Sequence, residues 1–140
     1  MKKLILIGRS GAGKTSLTQA LRGEKIAYRK TQYVSFGECL IDTPGEYAEN
    51  PELAHALALY SYEADIVGLL LGSDEPYSLY APNITSQANR DVIGIVTKTD
   101  KKEGRPDLAE MWLKLAGCRK IFFTSSYTGE GISEILEYIS

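Results

Sequence analysis

Five short apolar runs punctuate the chain, at 3–7, 38–41, 65–71, 92–96 and 120–123. Four of them are nearly continuous hydrophobics rather than alternating ones. That is the pattern of strands covered on both faces, as in a parallel sheet. Helix-like stretches at 14–22, 53–62, 107–116 and 132–139 fall between the runs. The remaining connection, 75–89, reads EPYSLYAPNITSQAN; Pro76 and Pro82 interrupt it, which predicts loop and a short helix. Regular alternation of strand and helix predicts an α/β fold with a doubly wound sheet. Within 107–116, Trp112 stands at helical spacing with Leu108 and Leu115, which predicts a core-facing stripe. The one histidine, His55, falls in the second helical stretch and is assigned to a helix face or the core.

Size and charge narrow the classes. A chain of 140 residues suffices for one core and one domain, 1–140. Hydrophobic residues make up 44% and charged residues 24%, the balance of a soluble globular protein. The net charge of −2 arises from 16 basic and 18 acidic residues without a basic tract, so neither nucleic acid nor a membrane surface is an expected partner. The longest apolar run, around 66–71, is far too short to span a bilayer. Lys2 and Lys3 before the apolar 4–7 resemble the start of a signal peptide, but the run stops at Gly8 without a cleavage site. Cys39 and Cys118 make no metal-type pair and read as buried, reduced thiols of a cytoplasmic protein.

The candidate chemistry begins in LILIGRSGAGKTSLTQAL, where Gly8, Gly13, Lys14 and Thr15 satisfy G-x-x-x-x-G-K-[ST]. A strand precedes the motif and a helix follows it, so backbone N–H groups and the positive helix end converge on phosphate. The assigned nucleotide contacts are Arg9, Ser10, Gly11, Ala12, Gly13, Lys14, Thr15 and Ser16. Lys14 would bridge the β and γ phosphates, and Thr15 would give its hydroxyl to Mg²⁺. In ECLIDTPGEY, Asp42 ends a strand where an acid can hold Mg²⁺ through water, and Gly45 can offer its N–H to a γ-phosphate. The other reading of Asp-Thr-Pro-Gly is a simple turn.

IGIVTKTD follows another strand. Thr97, Lys98 and Asp100 are similar to the [NT]-K-x-D element that reads guanine. A carboxylate there accepts two hydrogen bonds from the guanine edge, whereas adenine lacks that donor pair and would leave it unsatisfied. Lys98 would lie along the base. Thr97 replaces the commoner Asn and can tie the loop with fewer bonds. A merely solvated charged loop is the alternative. Ser125 and Ser126 resemble the loop whose backbone touches the guanine carbonyl.

GRSGAGKT, DTPG, TKTD and TSS, in that order, look like a small P-loop GTPase related to translation factors, and the likeness covers nearly the whole chain. RKTQYVSF, DTPGEY and the His55-Ala56-Leu57 triplet resemble the EutP/PduV family of ethanolamine and propanediol utilisation, pathways run in bacterial microcompartments. The resemblance implies a P-loop NTPase with Mg²⁺ and a purine nucleoside triphosphate, GTP or ATP. It also implies a shell protein or enzyme of the microcompartment as partner, engaged through residues 24–50, and a cytoplasmic location at or near that compartment. A second activity that it implies is an ATP-dependent acetate kinase. No stretch precedes the first strand, so no encapsulation peptide is expected at that end.

In familiar small GTPases an antiparallel strand separates the switch threonine from the strand-end aspartate. Here Thr31 and Asp42 are eleven positions apart, room for one strand but hardly for a hairpin. The expected domain is therefore three-layered, with a mainly parallel five-stranded sheet ordered 3-1-4-5-6 in small-GTPase numbering and the antiparallel second strand lost or vestigial. Thr31 is assigned to Mg²⁺ and to catalysis if its loop wraps the nucleotide; otherwise it is a loop threonine. Glu46 either positions the nucleophile or is a solvent-facing acid. Lys14, Thr31 and Glu46 form the catalytic set. Arg9 could approach the phosphates, Arg29 could hold a carboxylate acceptor, and Tyr28 either packs on the base or on the surface. Without a clear finger residue, hydrolysis should be slow.

Overall fold

In a computed structural model, the structure describes residues 3–8, 13–29, 40–42, 64–75, 78, 80, 82–87 and 91–139. The apolar runs become strands β1 (Leu4–Ile7), β2 (Leu40–Asp42), β3 (Ile66–Gly72), β4 (Asp91–Thr97) and β5 (Lys120–Phe123). Helices α1 (Lys14–Arg29), α2 (Pro106–Ala116) and α3 (Ile132–Ile139) connect or follow them. Among the described residues of the interrupted 75–89 piece, Ile84–Gln87 form a 3-10 turn, in keeping with the short helix expected there.

All five strands pair in parallel, in the order β2-β1-β3-β4-β5. This is the predicted order once the strands are renumbered. Leu4 pairs with Leu40 and Ile66, Ile66 with Asp91, and Ile93 with Lys120. The segment between α1 and β2, where the antiparallel strand was expected to be missing, lies outside the described residues, as do the helical stretch 53–62 and His55.

Side chains alternate across the sheet and feed two cores. Leu4 and Leu6 point to the layer that Leu17, Leu21, Ile132, Ile135 and Ile139 of α1 and α3 complete. Ile5 and Ile7 point to the other face, where Ala109, Leu113 and Ala116 of α2 pack with Tyr80 and Cys118. With apolar cover on both sides, the strands need no polar alternation, which is why their runs are continuous.

Two expectations change. Helix α1 does not stop near residue 22 but continues to Arg29. Gly23 costs about 1 kcal/mol against alanine in a helix but does not end one unless it takes a left-handed cap. It is not among the positive-φ glycines. At 1.5 Å per residue, Tyr28 and Arg29 lie about 21–23 Å along the axis from Lys14. In α2, the stripe that faces the sheet is Ala109, Leu113 and Ala116, while Leu115 is 55% exposed and Met111 49%. Trp112 packs only partly against the core. The heavy side chains flank the contact because small ones allow the helix close to the sheet.

Candidate functional site

The parallel strands end along one edge. Strand order reverses between β1 and β3, since the chain runs from β1 to β2 on one side and returns through β3 on the other. Open α/β sheets bind ligands in the crevice at such a reversal. Gly8, buried, leaves β1 there. The loop residues Arg9, Ser10, Gly11 and Ala12 lie outside the described residues.

Gly13 closes that loop at φ 93°, a left-handed value that glycine adopts without strain. A Cβ placed on it would lie 3.5 Å from Cβ and Oγ1 of Thr97 and 3.7 Å from Cε of Lys98. The end of the phosphate loop and the start of the TKTD segment therefore meet, although 84 positions separate Gly13 from Thr97. The Gly13 carbonyl accepts the Leu17 N–H at 2.8 Å and opens α1. The first N–H groups of a helix have no partner within it, so those of Lys14, Thr15 and Ser16 are donors at the crevice. The side chains of Lys14 and Thr15 are outside the described set, whereas Ser16 is exposed.

Asp42 ends β2 in register with Leu6, one residue short of the end of β1. Its backbone is thus at the strand tip, on the edge where Gly8 leaves β1; its side chain is not described. Thr31, Gly45 and Glu46 lie outside the described residues.

Thr97 closes β4 and is buried. Lys98 then takes φ 60°, left-handed for a non-glycine residue. The Lys101 N–H donates to the Lys98 carbonyl at 3.1 Å, so residues 98–101 form a turn with Thr99 and Asp100 at its apex. The Thr99 N–H and hydroxyl donate to the Thr124 carbonyl at 3.2 and 3.1 Å, and its hydroxyl also meets the Glu130 carboxylate. The Ser125 hydroxyl donates to Asp100 Oδ1 at 2.8 Å. Ser125 is in turn fixed within its loop, because its N–H donates to the Glu130 carbonyl at 3.0 Å and its Oγ accepts from the Thr128 N–H at 3.1 Å. Thr97, Lys98, Asp100 and Ser125 are therefore one connected unit, with half-buried Ser126 next in the chain.

The family model for ethanolamine utilisation and propanediol utilisation, PduV-EutP, matches residues 1–140. The chain belongs to the PduV-EutP family. It is 47% identical, over its whole length and 94% of the relative, to the propanediol utilization protein PduV of Citrobacter freundii. It is 31% identical, over its whole length and 90% of the relative, to the probable acetate kinase EutP of Escherichia coli (strain K12). GTPase Era of Mycobacterium tuberculosis is a more distant relative, 26% identical over 96% of this chain and 54% of that protein. Sheet order and this likeness together make the domain a P-loop NTPase fold. No helix among the described residues is long and apolar enough to cross a membrane.

This PduV-EutP member also has site-edge residues that motif reading passed over. Ser73 and Asp74 follow β3, and the Ser73 hydroxyl donates to the Lys98 carbonyl at 2.6 Å. The Asp74 carboxylate lies 3.7 Å from Lys98 Nζ and 2.9 Å from Lys101 Nζ. Partial burial pushes its pKa upward, but the Lys101 hydrogen bond and both lysine charges outweigh that and hold it below the usual value. The Tyr80 hydroxyl reaches the Leu70 carbonyl at 2.7 Å and the Ile7 carbonyl at 3.1 Å, bracing the two strands that flank the crevice. A sequence signal for Ser73 existed: it is the polar residue directly after the apolar strand β3. Tyr80 had none, because its partners are backbone atoms.

Proposed function

We propose that this chain binds Mg²⁺ and a purine nucleoside triphosphate, GTP by preference, and hydrolyses the γ-phosphate slowly in the service of ethanolamine or propanediol utilisation. The observation that carries the reading is the contact of Gly13 with Thr97 and Lys98, next to an Asp100 whose carboxylate Ser125 orients. That contact supports reading the two segments as the phosphate and base ends of one nucleotide site.

The residues fit the absent groups. Gly13 takes its left-handed conformation without strain and turns the loop into α1, whose opening amides supply donors. Lys14 would hold the β and γ phosphates. Thr15, Thr31 and Asp42 would hold Mg²⁺, directly or through water, and the ion would offset charge on the transferring phosphoryl group. Asp100 would accept from the N–H and exocyclic amine of guanine. Water is the acceptor in this reading, giving GDP and phosphate, and Glu46 would orient it. Residues 24–50 would engage a microcompartment shell protein or enzyme.

The second reading is phosphoryl transfer from ATP to acetate, which yields an acyl phosphate and ADP. The name of the EutP relatives supports it. Calorimetric titration with Mg·GTP and Mg·ATP separates the two. A GTP preference of tenfold or more, about 1.4 kcal/mol, supports the first; equal or tighter ATP binding rejects it and directs the assay to acetyl phosphate. Asp100→Asn should weaken GTP and favour xanthosine triphosphate, because the donor and acceptor pattern at the base edge inverts.

A further inference from the structure

The segment after β3 had no part in the motif reading, yet it bears on the base-reading turn at both ends. Ser73 is buried, donates its hydroxyl to the Lys98 carbonyl at 2.6 Å and its N–H to the Thr97 carbonyl at 2.9 Å. Asp74 bridges Lys98 and Lys101, the first and last residues of the turn whose apex carries Asp100. The turn starts from a left-handed lysine, φ 60°, a conformation that crowds the Cβ of a side-chain-bearing residue and is seldom adopted by one. Left to itself, such a turn would relax toward a conformation that moves its apex. Ser125, in the loop after β5, fixes the carboxylate of Asp100 and Thr99 ties the apex to the Thr124 carbonyl, while Ser73 and Asp74 hold the two ends of the turn.

We infer that Ser73 and Asp74 are positioning residues for base selection: they clamp the strained Lys98–Lys101 turn so that Asp100 meets a guanine edge. The inference rests on the nucleotide reading above and deepens it. The clamp touches no nucleotide in this scheme and acts only through the turn. Its loss should therefore lower discrimination between bases while leaving the phosphate contacts of the cradle intact. Phosphate binding is common to GTP and ATP, so the ATP affinity is the internal reference.

The test is calorimetric titration of the full chain, as wild type, Asp74→Asn and Ser73→Ala, with Mg·GTP and Mg·ATP, alongside far-ultraviolet circular dichroism of each. Asp74→Asn keeps the shape of the side chain and removes its charge. The expected result is a GTP-to-ATP affinity ratio at least fivefold lower than in the wild type, with ATP affinity unchanged. Equal weakening of both nucleotides in the folded variants, or no change in either, overturns the inference and leaves the clamp a purely structural feature. Should Asp74→Asn fail to fold, Ser73→Ala decides on the same ratio. A wild type that binds neither nucleotide rejects the nucleotide reading itself, and the inference with it.

Discussion

Tyr80→Phe removes one buried oxygen and little else. The ring lies in the α2-side core, and the hydroxyl alone reaches the Leu70 and Ile7 carbonyls, at 2.7 and 3.1 Å. One hydroxyl proton satisfies the nearer acceptor well and the farther one weakly, so the loss amounts to one buried hydrogen bond plus partial desolvation of two carbonyls. That sum is about 2 kcal/mol. With an unfolding entropy of about 2.1 cal/mol/K per residue over 140 residues, each kcal/mol shifts the midpoint by roughly 3.4 °C. The expected fall in Tm is therefore about 7 °C. Trp112, the one tryptophan, packs against the same core, so its fluorescence in a urea titration reports the transition directly. A change below about 0.5 kcal/mol, the ordinary range for surface substitutions, would refute the claim that this hydroxyl braces β1 against β3.

Three further outcomes follow from other parts of the molecule. Lys14→Ala should weaken Mg·GTP binding roughly 10–100-fold, the worth of charge-assisted hydrogen bonds, with an unchanged circular dichroism spectrum; calorimetry reads the first and spectroscopy the second. Gly131→Ala should destabilise the fold by at least about 2 kcal/mol in urea titration: Gly131 has φ 77°, and a Cβ would stand 2.1 Å from the Phe123 carbonyl oxygen. Burial, with Asp91 adding to it, pushes the Cys118 thiol from 9.0 up to about 12. The folded state then keeps a proton that the unfolded chain releases, so this contribution is complete below pH 9 and falls as pH rises from 9 toward 12. Urea midpoints measured from pH 8 to 11 should decline less steeply for Cys118→Ala than for the wild type.

Much of the fold could be read from local pattern. Strands β1, β3, β4 and β5 announce themselves because a strand covered on both faces has no polar side to show. The limits of α1 and the facing of α2 could not be read. Gly23 looks like a stop, yet whether a glycine caps a helix depends on a backbone angle that the residue type permits but does not impose. Leu115 looks like core because it is large, yet it is exposed, and the sheet admits α2 on Leu113 and the small residues Ala109 and Ala116.

The site divides in the same way. Sequence alone determined the presence of a phosphate loop and a TKTD turn and the end of the strand on which each sits, because glycine spacing and residue type are local constraints. The alternation of strand and helix gave the parallel sheet, while the strand order came from the likeness to small GTPases. Only the tertiary structure decided that Gly13 rests against Thr97, that Ser125 orients Asp100, and that Ser73 and Asp74 hold both ends of the turn. Those contacts join residues 24 to 84 positions apart. Their partners are largely carbonyls and carboxylates brought together by the sheet edge, and no local pattern records which strand ends become neighbours.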